Sequence, residues 1–193
     1  ADEVQPGFAR TGQAFFGFAR HGIVPDMITM GKPMGNGIPI SGLAAKEDVL
    51  AAFSDKLPYF NTFGGNPVSI AAAQAVLKYI KDENLQEHCK KAGAALLKAL
   101  KEVQERHPES VGDVRGAGLF LGFEFVKNDG NKTPDKDMAL NVIEMLRDEH
   151  ILTSVIGHYG NILKLRPPMV FSENDIDWFA TSLDKCITKL ENK

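Results

Sequence analysis

The sequence is poor in the residues that mark several classes of protein. It has two cysteines, Cys89 and Cys186, which stand far apart and outside any C-x-x-C pattern. Such a pair predicts reduced thiols packed in or near a core, and a reducing compartment, in place of a disulfide framework. The five histidines are scattered along the chain without the spacing of metal ligands, so we expect no metal site.

Long apolar runs and a strong charge are also missing. No apolar stretch approaches the roughly 20 residues that a membrane-spanning helix needs, so we expect no membrane segment. Lysine and arginine number 22 and aspartate and glutamate 25, for a net charge of −3. This weak acidic balance predicts no nucleic-acid partner. The opening residues, Ala-Asp-Glu-Val-Gln, have neither an initiator Met nor the features of a signal peptide, so we expect a fragment of a longer, cytoplasmic protein.

The composition that remains is that of an ordinary globular protein. The chain has 193 residues, 44% of them hydrophobic and 24% charged, which fits one large domain or two small ones. Before residue 84, glycine-rich loops separate short apolar segments. After it, long amphipathic helices flank a few strands. This change predicts an α/β class with domains at residues 1–83 and 84–193.

Four long helices are predicted by caps and by apolar periodicity. The first covers residues 66–83, with Asn66 as N-cap and Pro67 at the first helical position. The second covers residues 84–107, where apolar residues recur every three or four positions: Leu85, Cys89, Ala92, Leu96, Leu100 and Val103. A third is expected at residues 136–149. The last starts at Ser172, which forms a pair resembling a capping box with Asp175.

Strands are predicted in between. The continuous apolar run Met27–Met30 indicates a buried strand, and residues 113–126 alternate toward their end, with Phe123 and Phe125 inward. Two short strands follow, in residues 151–157 and 161–168. The stretch "GAGLFLG" (116–122) has some likeness to a dinucleotide-binding fingerprint, but the residues after it predict a strand where that fingerprint requires a helix. We therefore assign its glycines to a strand approach or a bulge.

The stretch "MITMGKPMGNGIPISG" (27–42) places one lysine, Lys32, among glycines. A lysine in such a loop is most often a solvated charge. A P-loop is excluded, because Pro33 follows the lysine and no glycine stands five positions before Gly31. An amine at the end of a buried strand would instead be partly desolvated and nucleophilic, with glycines that let a flat cofactor approach. The residues alone leave the solvated and the nucleophilic interpretations open.

Other polar residues have a similar double interpretation. Asp2 and Gln5 lie near the start of the chain, where polar side chains usually face solvent. Thr62, in "NTFGGNP" (61–67), offers a hydroxyl beside glycine amides, which suits an oxyanion or a simple entry into a helix. Arg166, in "LKLRPPM", stands at a strand end, where its guanidinium either holds a carboxylate bidentately or faces solvent.

Five segments occur in a fixed order: "DEVQPGFARTG", "VPDMITMGKPMGNGIP", "FNTFGGNPVS", "GDVRGAGLFLGFEFV" and "LKLRPPMVFSENDID". Together they resemble the second half of a class III (omega-type) pyridoxal-phosphate-dependent aminotransferase, in particular the branch of the alanine–glyoxylate aminotransferases and ethanolamine-phosphate phospho-lyases. The resemblance covers essentially the whole chain. It implies a fragment of the fold-type I PLP-dependent transferase fold, with the end of the large-domain sheet in residues 1–83 and the small C-terminal α+β domain in residues 84–193.

The resemblance also implies roles for single residues around pyridoxal 5'-phosphate. Asp2 would pair with the protonated pyridine nitrogen, which keeps the ring cationic and able to accept electrons. Val4 would pack on the face of the ring, and Gln5 would hydrogen-bond its phenolic oxygen. Lys32 would form the Schiff base and then move the proton between the substrate and cofactor carbons.

Two further residues would act on the phosphate and on the substrate. Thr62 would donate its hydroxyl to the cofactor phosphate of the neighbouring subunit, which implies a homodimer. Arg166 would bind the substrate carboxylate. Phospho-lyase relatives tend to carry lysine at the position of Arg166, so the arginine favours amino transfer from an amino acid or amine to a keto acid or aldehyde.

Two alternatives stay open. The segments "MGKPMGNG" and "YFNTFGGNPVS" favour a phospho-lyase that acts on phosphoethanolamine-like amines. The phosphate-binding loop and ring-stacking aromatic of such enzymes lie before the "DEVQ" motif. We therefore expect these 193 residues by themselves to bind the cofactor poorly, and a non-catalytic fragment is the third possibility.

Overall fold

The computed structural model describes residues 1–192, which divide into two compact units. The first unit is Ala1–His88 and the second begins at Cys89. The division falls inside a long helix, Leu85–Arg106, whereas the sequence pattern changes at residue 84. The identification of residues 1–83 and 84–193 with the two domains of the transferase fold stays a prediction. Among the described residues, no helix is both long and apolar enough to cross a membrane.

The first unit contains a two-stranded antiparallel sheet and two helices. Strand β1 (Met27–Met30) pairs with β2 (Gly42–Ala45), and helices α1 (Glu47–Ser54) and α2 (Pro67–Asp82) follow. An ion pair closes the outer end of the sheet, because Lys46 Nζ lies 2.6 Å from Asp26 Oδ1. The hydrogen bond from this ammonium group lowers the pKa of Asp26. Two short 3-10 helices, Gly17–His21 and Lys32–Gly35, complete the unit.

Helix α2 confirms the predicted cap. The Asn66 side chain accepts a hydrogen bond from the Ser69 backbone N–H at 3.0 Å, and Pro67 occupies the first helical position. One of the unpaired N–H groups at the helix start is therefore satisfied, and proline removes another.

Strand β1 forms where it is predicted, but the prediction that it is buried is wrong. Its four residues alternate between exposed and half-buried, and Met27 is 47% exposed. An apolar run predicts burial because apolar surface favours contact with other apolar surface. The described part of the chain does not cover both faces of this small sheet, so the side chains stay accessible.

The second unit is an antiparallel sheet covered by helices. Its elements after helix α3 (Leu85–Arg106) are β3 (Val111–Ala117), β4 (Phe120–Phe125), α4 (Lys136–Asp148), β5 (Ser154–Ile156), β6 (Ile162–Leu165) and α5 (Glu173–Glu191). The strand order is β3-β4-β6-β5. Every neighbouring pair is antiparallel.

The core lies on one face of this sheet. Alternate residues of β4 and β6 are buried, as the period of two predicts, while their neighbours are half-buried. Helix α3 contributes the predicted apolar stripe, and α4 and α5 contribute theirs. The largest fully buried side chains of the unit are Phe123, Phe125, Leu96, Leu100, Leu119, Leu121, Leu146, Leu163, Leu183, Ile187 and Val103.

Of the glycines in residues 116–122, Gly118 lies in the turn of the β3–β4 hairpin, whereas Gly116 belongs to β3 and Gly122 to β4. Gly118 has φ +53°, which favours glycine. A side chain at Gly93 of α3 would come within 2.3 Å of the Gly118 backbone, so the helix lies directly against the turn. Strand β4 follows Gly118, which agrees with the rejection of a dinucleotide fingerprint. The assignment of glycines to strands is confirmed for Gly116 and Gly122, and the turn at Gly118 makes the two strands a hairpin.

Helix α5 begins with the predicted capping box. The Asp175 N–H donates to Ser172 Oγ at 3.3 Å, and the Ser172 N–H donates to Asp175 Oδ2 at 2.8 Å.

Candidate functional site

The first residues of the chain run beside strand β1. Asp2 pairs with Thr29 in a parallel bridge, in which the Glu3 N–H donates to the Thr29 carbonyl at 2.9 Å. The Thr29 N–H donates in turn to the Ala1 carbonyl at 3.0 Å. Lys32 lies three residues after Thr29. The carboxylate of Asp2 and the amine of Lys32 therefore belong to adjacent, hydrogen-bonded stretches of backbone.

Val4 lies next to Gly31, the residue that precedes Lys32. A side chain added at Gly31 would lie 3.8 Å from Val4 Cγ1, so Val4 stands next to the residue that precedes Lys32. The Val4 N–H donates to Asp2 Oδ1 at 3.0 Å, which ties the carboxylate to the start of a turn. Gln5 is half-buried in that turn. The backbone at Asp2 and Val4 therefore runs beside the segment from Thr29 to Gly31 that leads into Lys32.

Lys32 itself has an unusual backbone. It is the first residue of the 3-10 helix Lys32–Gly35 and has φ +23°, at the edge of the left-handed region. Such a conformation costs a non-glycine residue of the order of 1–3 kcal/mol and is often found at functional sites. The side chain is exposed, so the desolvation expected from a buried strand is not observed in residues 1–192. The Lys32 side chain is exposed for the same reason as the side chains of β1: residues 1–192 do not cover both faces of this small sheet.

The segment after Lys32 is fixed by helix α2. Ser69, in the first turn of α2, donates its hydroxyl to the Pro39 carbonyl at 3.0 Å. Gly35 lies so close to Ile40 that an added Cβ would come within 2.9 Å of its side chain. The loop after Lys32 is therefore held by the start of α2 and by the close contact between Gly35 and Ile40.

A buried carboxylate that the sequence analysis missed supports the Asp2 segment. Glu3 is 2% exposed, and its two carboxylate oxygens accept the N–H groups of Gly17 at 2.7 Å and Phe18 at 2.8 Å. Hydrogen bonds to both oxygens offset the cost of burying the charge. The position of Glu3 between Asp2 and Val4 was the one signal in the sequence. Its role depends on a hydrogen bond with Gly17, which is 14 residues away.

Thr62 lies in an exposed loop whose turn is fixed. Asn61 Oδ1 accepts the N–H groups of Phe63 at 3.1 Å and Gly64 at 3.0 Å, and Asn66 Nδ2 donates to the Phe63 carbonyl at 3.0 Å. These bonds hold the backbone on both sides of Thr62. The structure does not bring Thr62 into contact with Lys32 among the described residues, and its predicted partner is a neighbouring subunit.

Arg166 belongs to the second unit and follows strand β6. Its Nη1 donates to the carbonyls of Leu121 at 2.6 Å and Leu165 at 2.8 Å. Its Cζ lies 3.4 Å from the centroid of the Phe120 ring. The guanidinium is half-buried and oriented by three groups of the protein, of which the sequence analysis identified none.

A cavity of about 520 Å³ adjoins Arg166 within the second unit. Its lining combines apolar surface from α3 and α5 with the cationic residues of β6 and its end: Leu96, Trp178, Phe179, Lys164 and Arg166. A concave, mostly apolar site with a few cationic groups suits a small organic anion.

One buried hydroxyl in the first unit lacks a partner. Thr11 is 2% exposed, and its Oγ1 makes no hydrogen bond with any residue from 1 to 192. It lies at the end of the "DEVQPGFART" segment, and composition gave no signal for it. The described residues hold no group of three or more histidine, cysteine or acidic side chains placed to bind a metal ion.

Comparison with known proteins identifies the family. The profile of class-III aminotransferases matches residues 1–187. An ethanolamine-phosphate phospho-lyase homolog of Caenorhabditis elegans is 44% identical over 190 residues, which cover 97% of this chain and 40% of that protein. A mitochondrial alanine–glyoxylate aminotransferase 2 homolog of Arabidopsis thaliana is 40% identical, over 98% of this chain and 39% of its own length.

Solved structures agree with the sequences. A phospholyase from Arthrobacter in complex with phosphoethanolamine superimposes with a TM-score of 0.92 and 39% identity, over 97% of this chain and 44% of that one. A transaminase from the marine bacterium Virgibacillus superimposes with a TM-score of 0.90 and 31% identity, over 100% of this chain and 45% of that one. The fold-type I assignment is thus confirmed for a part of that fold.

The chain spans about two fifths of the length of the curated relatives that it matches. Class-III aminotransferases and their phospho-lyase relatives are pyridoxal-phosphate-dependent enzymes, which confirms the predicted cofactor class. With a family profile that covers nearly every residue, this chain belongs to the class-III aminotransferases.

Proposed function

We propose that the complete enzyme containing this chain transfers an amino group from an amino acid or amine to a keto acid or aldehyde, with pyridoxal phosphate bound covalently at Lys32. The observation that carries this proposal is the parallel pairing of Asp2 with Thr29, three residues before Lys32. A carboxylate and an amine that stood far apart would have excluded it.

The residues at this site fit the cofactor by their chemistry. Asp2 offers a carboxylate for a cationic ring nitrogen, Val4 an apolar side chain for a ring face, and Gln5 an amide for a phenolic oxygen. Gly31 leaves space beside Val4 where another residue would add a side chain. When bound, pyridoxal phosphate supplies an electron sink for the substrate carbon.

Lys32 then has two tasks. Its Nζ would hold the cofactor and, when displaced from it by the substrate amine, would take a proton from the substrate carbon and deliver it to a carbon of the cofactor. The backbone of Lys32 has a strained φ, and the loop that follows it is held by the hydrogen bond from Ser69 to the Pro39 carbonyl.

Arg166 supports amino transfer over phosphate elimination. A planar guanidinium binds a carboxylate through two parallel hydrogen bonds, which an amino acid or keto acid provides. Phospho-lyase activity on phosphoethanolamine-like amines is the second candidate. It is favoured by the relative of 44% identity and the structure of 39% identity, both named for that reaction.

Replacement of the lysine tests the proposal. In the complete enzyme, we expect Lys32→Ala to abolish the visible absorption band of the lysine-bound cofactor and to lower amino transfer by several orders of magnitude. Lys81→Ala, at an exposed lysine of the same unit, is the matched control and should leave both unchanged. An unchanged band in Lys32→Ala would show that another lysine holds the cofactor.

A pair of product assays separates the two reactions. The enzyme is supplied with L-alanine and glyoxylate, or with phosphoethanolamine alone, and glycine or inorganic phosphate is measured. Formation of glycine without phosphate release supports the transaminase. Phosphate release without transfer supports the lyase and excludes the preferred activity.

The predicted homodimer can be tested by complementation. If Thr62 serves the neighbouring subunit's cofactor, a heterodimer of a Lys32→Ala subunit and a Thr62→Ala subunit has one intact site. Mixing the two variants should then restore up to half of the wild-type activity per two-site dimer. If Thr62 serves its own subunit, both sites stay defective and no activity returns.

The compartment remains a proposal as well. Cys89 and Cys186 are both buried thiols, which is compatible with a reducing environment such as the cytoplasm. Burial raises the pKa of the Cys186 thiol, which disfavours the reactive thiolate.

A further inference from the structure

The position of Phe120 follows from the register of the sheet. Strand β4 pairs with β6 so that Leu121 faces Leu165 and Gly122 faces Lys164. One step further along this antiparallel ladder, Phe120 stands opposite Arg166. Cross-strand neighbours of this kind have side chains on the same face, which explains the contact between the ring and the guanidinium.

Phe120 is not part of the hydrophobic core. Leu119 and Leu121 on either side of it are buried in the core, whereas Phe120 is half-buried. Alternation along the strand turns its ring to the other face of the sheet, where Arg166 lies. The Phe120 ring contacts the guanidinium of Arg166, which also lines the cavity of the second unit.

The ring and two carbonyls together define the orientation of the guanidinium. Nη1 donates to the carbonyls of Leu121 and Leu165, which fixes one end of the guanidinium. The Phe120 ring, 3.4 Å from Cζ, covers one flat face and prevents rotation out of this plane. A cation over an aromatic face is held by the ring quadrupole as well as by contact.

We propose that Phe120 is a positioning residue that orients Arg166 for binding the carboxylate of the substrate. The inference rests on the proposed role of Arg166 and extends it to specificity. Donors with a carboxylate gain from the oriented guanidinium, whereas amines without one do not. Loss of the ring lets the arginine side chain rotate, and the affinity for donors with a carboxylate then decreases.

The test compares two donors in the complete enzyme. Phe120→Leu removes the ring and keeps an apolar side chain, whereas Phe120→Tyr keeps the ring. For Phe120→Leu we expect the KM for L-alanine to rise about three- to thirtyfold, the range of cation–π stabilisation. The KM for isopropylamine should stay within twofold. Phe120→Tyr should resemble the wild type for both donors.

A binding measurement makes the test independent of the reaction. Calorimetry with maleate, an unreactive dicarboxylate, gives a Kd for the wild type, Phe120→Leu, Arg166→Ala and the double variant. We expect weaker binding in Phe120→Leu by the same factor, still weaker binding in Arg166→Ala, and no additional loss in the double variant.

Each outcome decides the proposal. An equal change of KM for both donors makes Phe120 a general structural residue and overturns it, as does an unchanged Kd for maleate in Phe120→Leu. If Arg166→Ala binds maleate as well as the wild type, Arg166 is not the anion-binding residue and the proposal is wrong with it. Failure of the proposed function is distinct, because it is seen as absent amino transfer by the wild-type enzyme.

Discussion

The two units of the chain bury their apolar side chains to very different extents. In the second unit, 22 hydrophobic residues are buried by the described part of the chain. In the first unit the corresponding residues are Phe8, Ala9, Ile80 and Leu85. The first unit instead exposes large apolar side chains: Val24, Tyr59, Phe60, Phe63 and Val68.

This difference shows what holds each site in place. Arg166 projects from a sheet with a closed core, so its position follows from packing. Lys32 lies in the unit with few buried apolar residues, where specific hydrogen bonds fix the backbone. The bonds are those of Thr29 with Ala1 and Glu3, of Glu3 with Gly17, and of Ser69 with Pro39. The proposed catalytic residues thus depend on polar contacts, and the substrate-binding residue on a core.

The largest expected effect comes from one substitution made in both units. Phe123→Ala removes a ring that is 0% exposed and leaves a cavity, which should lower the free energy of unfolding by about 3–5 kcal/mol. Phe60→Ala removes a ring that is 84% exposed and should change it by less than about 0.5 kcal/mol. Urea unfolding of both variants gives the comparison. A similar loss for both would mean that Phe60 is covered in solution.

A middle-sized effect is expected at Glu3. Glu3→Gln replaces one of the two acceptor oxygens by an NH2 group, which cannot accept the N–H of Gly17 or Phe18. One buried donor is left unsatisfied, at a cost of about 1–3 kcal/mol in the free energy of unfolding. Glu83→Gln, at an exposed glutamate of the same unit, is the control and should have little effect. Equal stability of the two variants would contradict the role assigned to Glu3.

The sequence was sufficient for most of the helices and for the second-unit core. Caps and periodicity are local, and they located α2 and α5 and the apolar stripe of α3 almost to the residue. They failed for the burial of β1, because an apolar run shows that a strand prefers a covering surface but not whether one is present. The β3–β4 hairpin was missed because glycines suit both a bulge and a turn.

The site was predictable only as separate parts. Order and identity of the motifs indicated Asp2, Lys32, Thr62 and Arg166. The residues that fix them were not indicated, because their partners are distant in sequence. Glu3 acts through residues 17 and 18, and Phe120 through Arg166, 46 residues further on. Such contacts depend on register and on turns, which no local pattern determines.

The smallest expected effect is at the start of α5, where the cap belongs to the unit with the closed core. Ser172 Oγ accepts the Asp175 N–H, so Ser172→Ala should lower the free energy of unfolding by about 1 kcal/mol. Hydrogen bonds from Ser172 lower the pKa of Asp175 in the folded state. Its contribution is therefore present above the ordinary aspartate pKa of about 4 and is lost as the pH falls through the lower folded value.

Thermal unfolding at pH 7 and near pH 3 tests whether the contribution of Asp175 to stability decreases in acid. Asp175→Asn should be less stable than the wild type at pH 7, and the difference should narrow at the lower pH. Asp177→Asn, an exposed position on the same helix, is the control and should show no such narrowing. If the difference instead widens in acid, the carboxylate of Asp175 is not stabilised by the cap. The start of α5 would then be held mainly by the packing of its apolar side chains in the core.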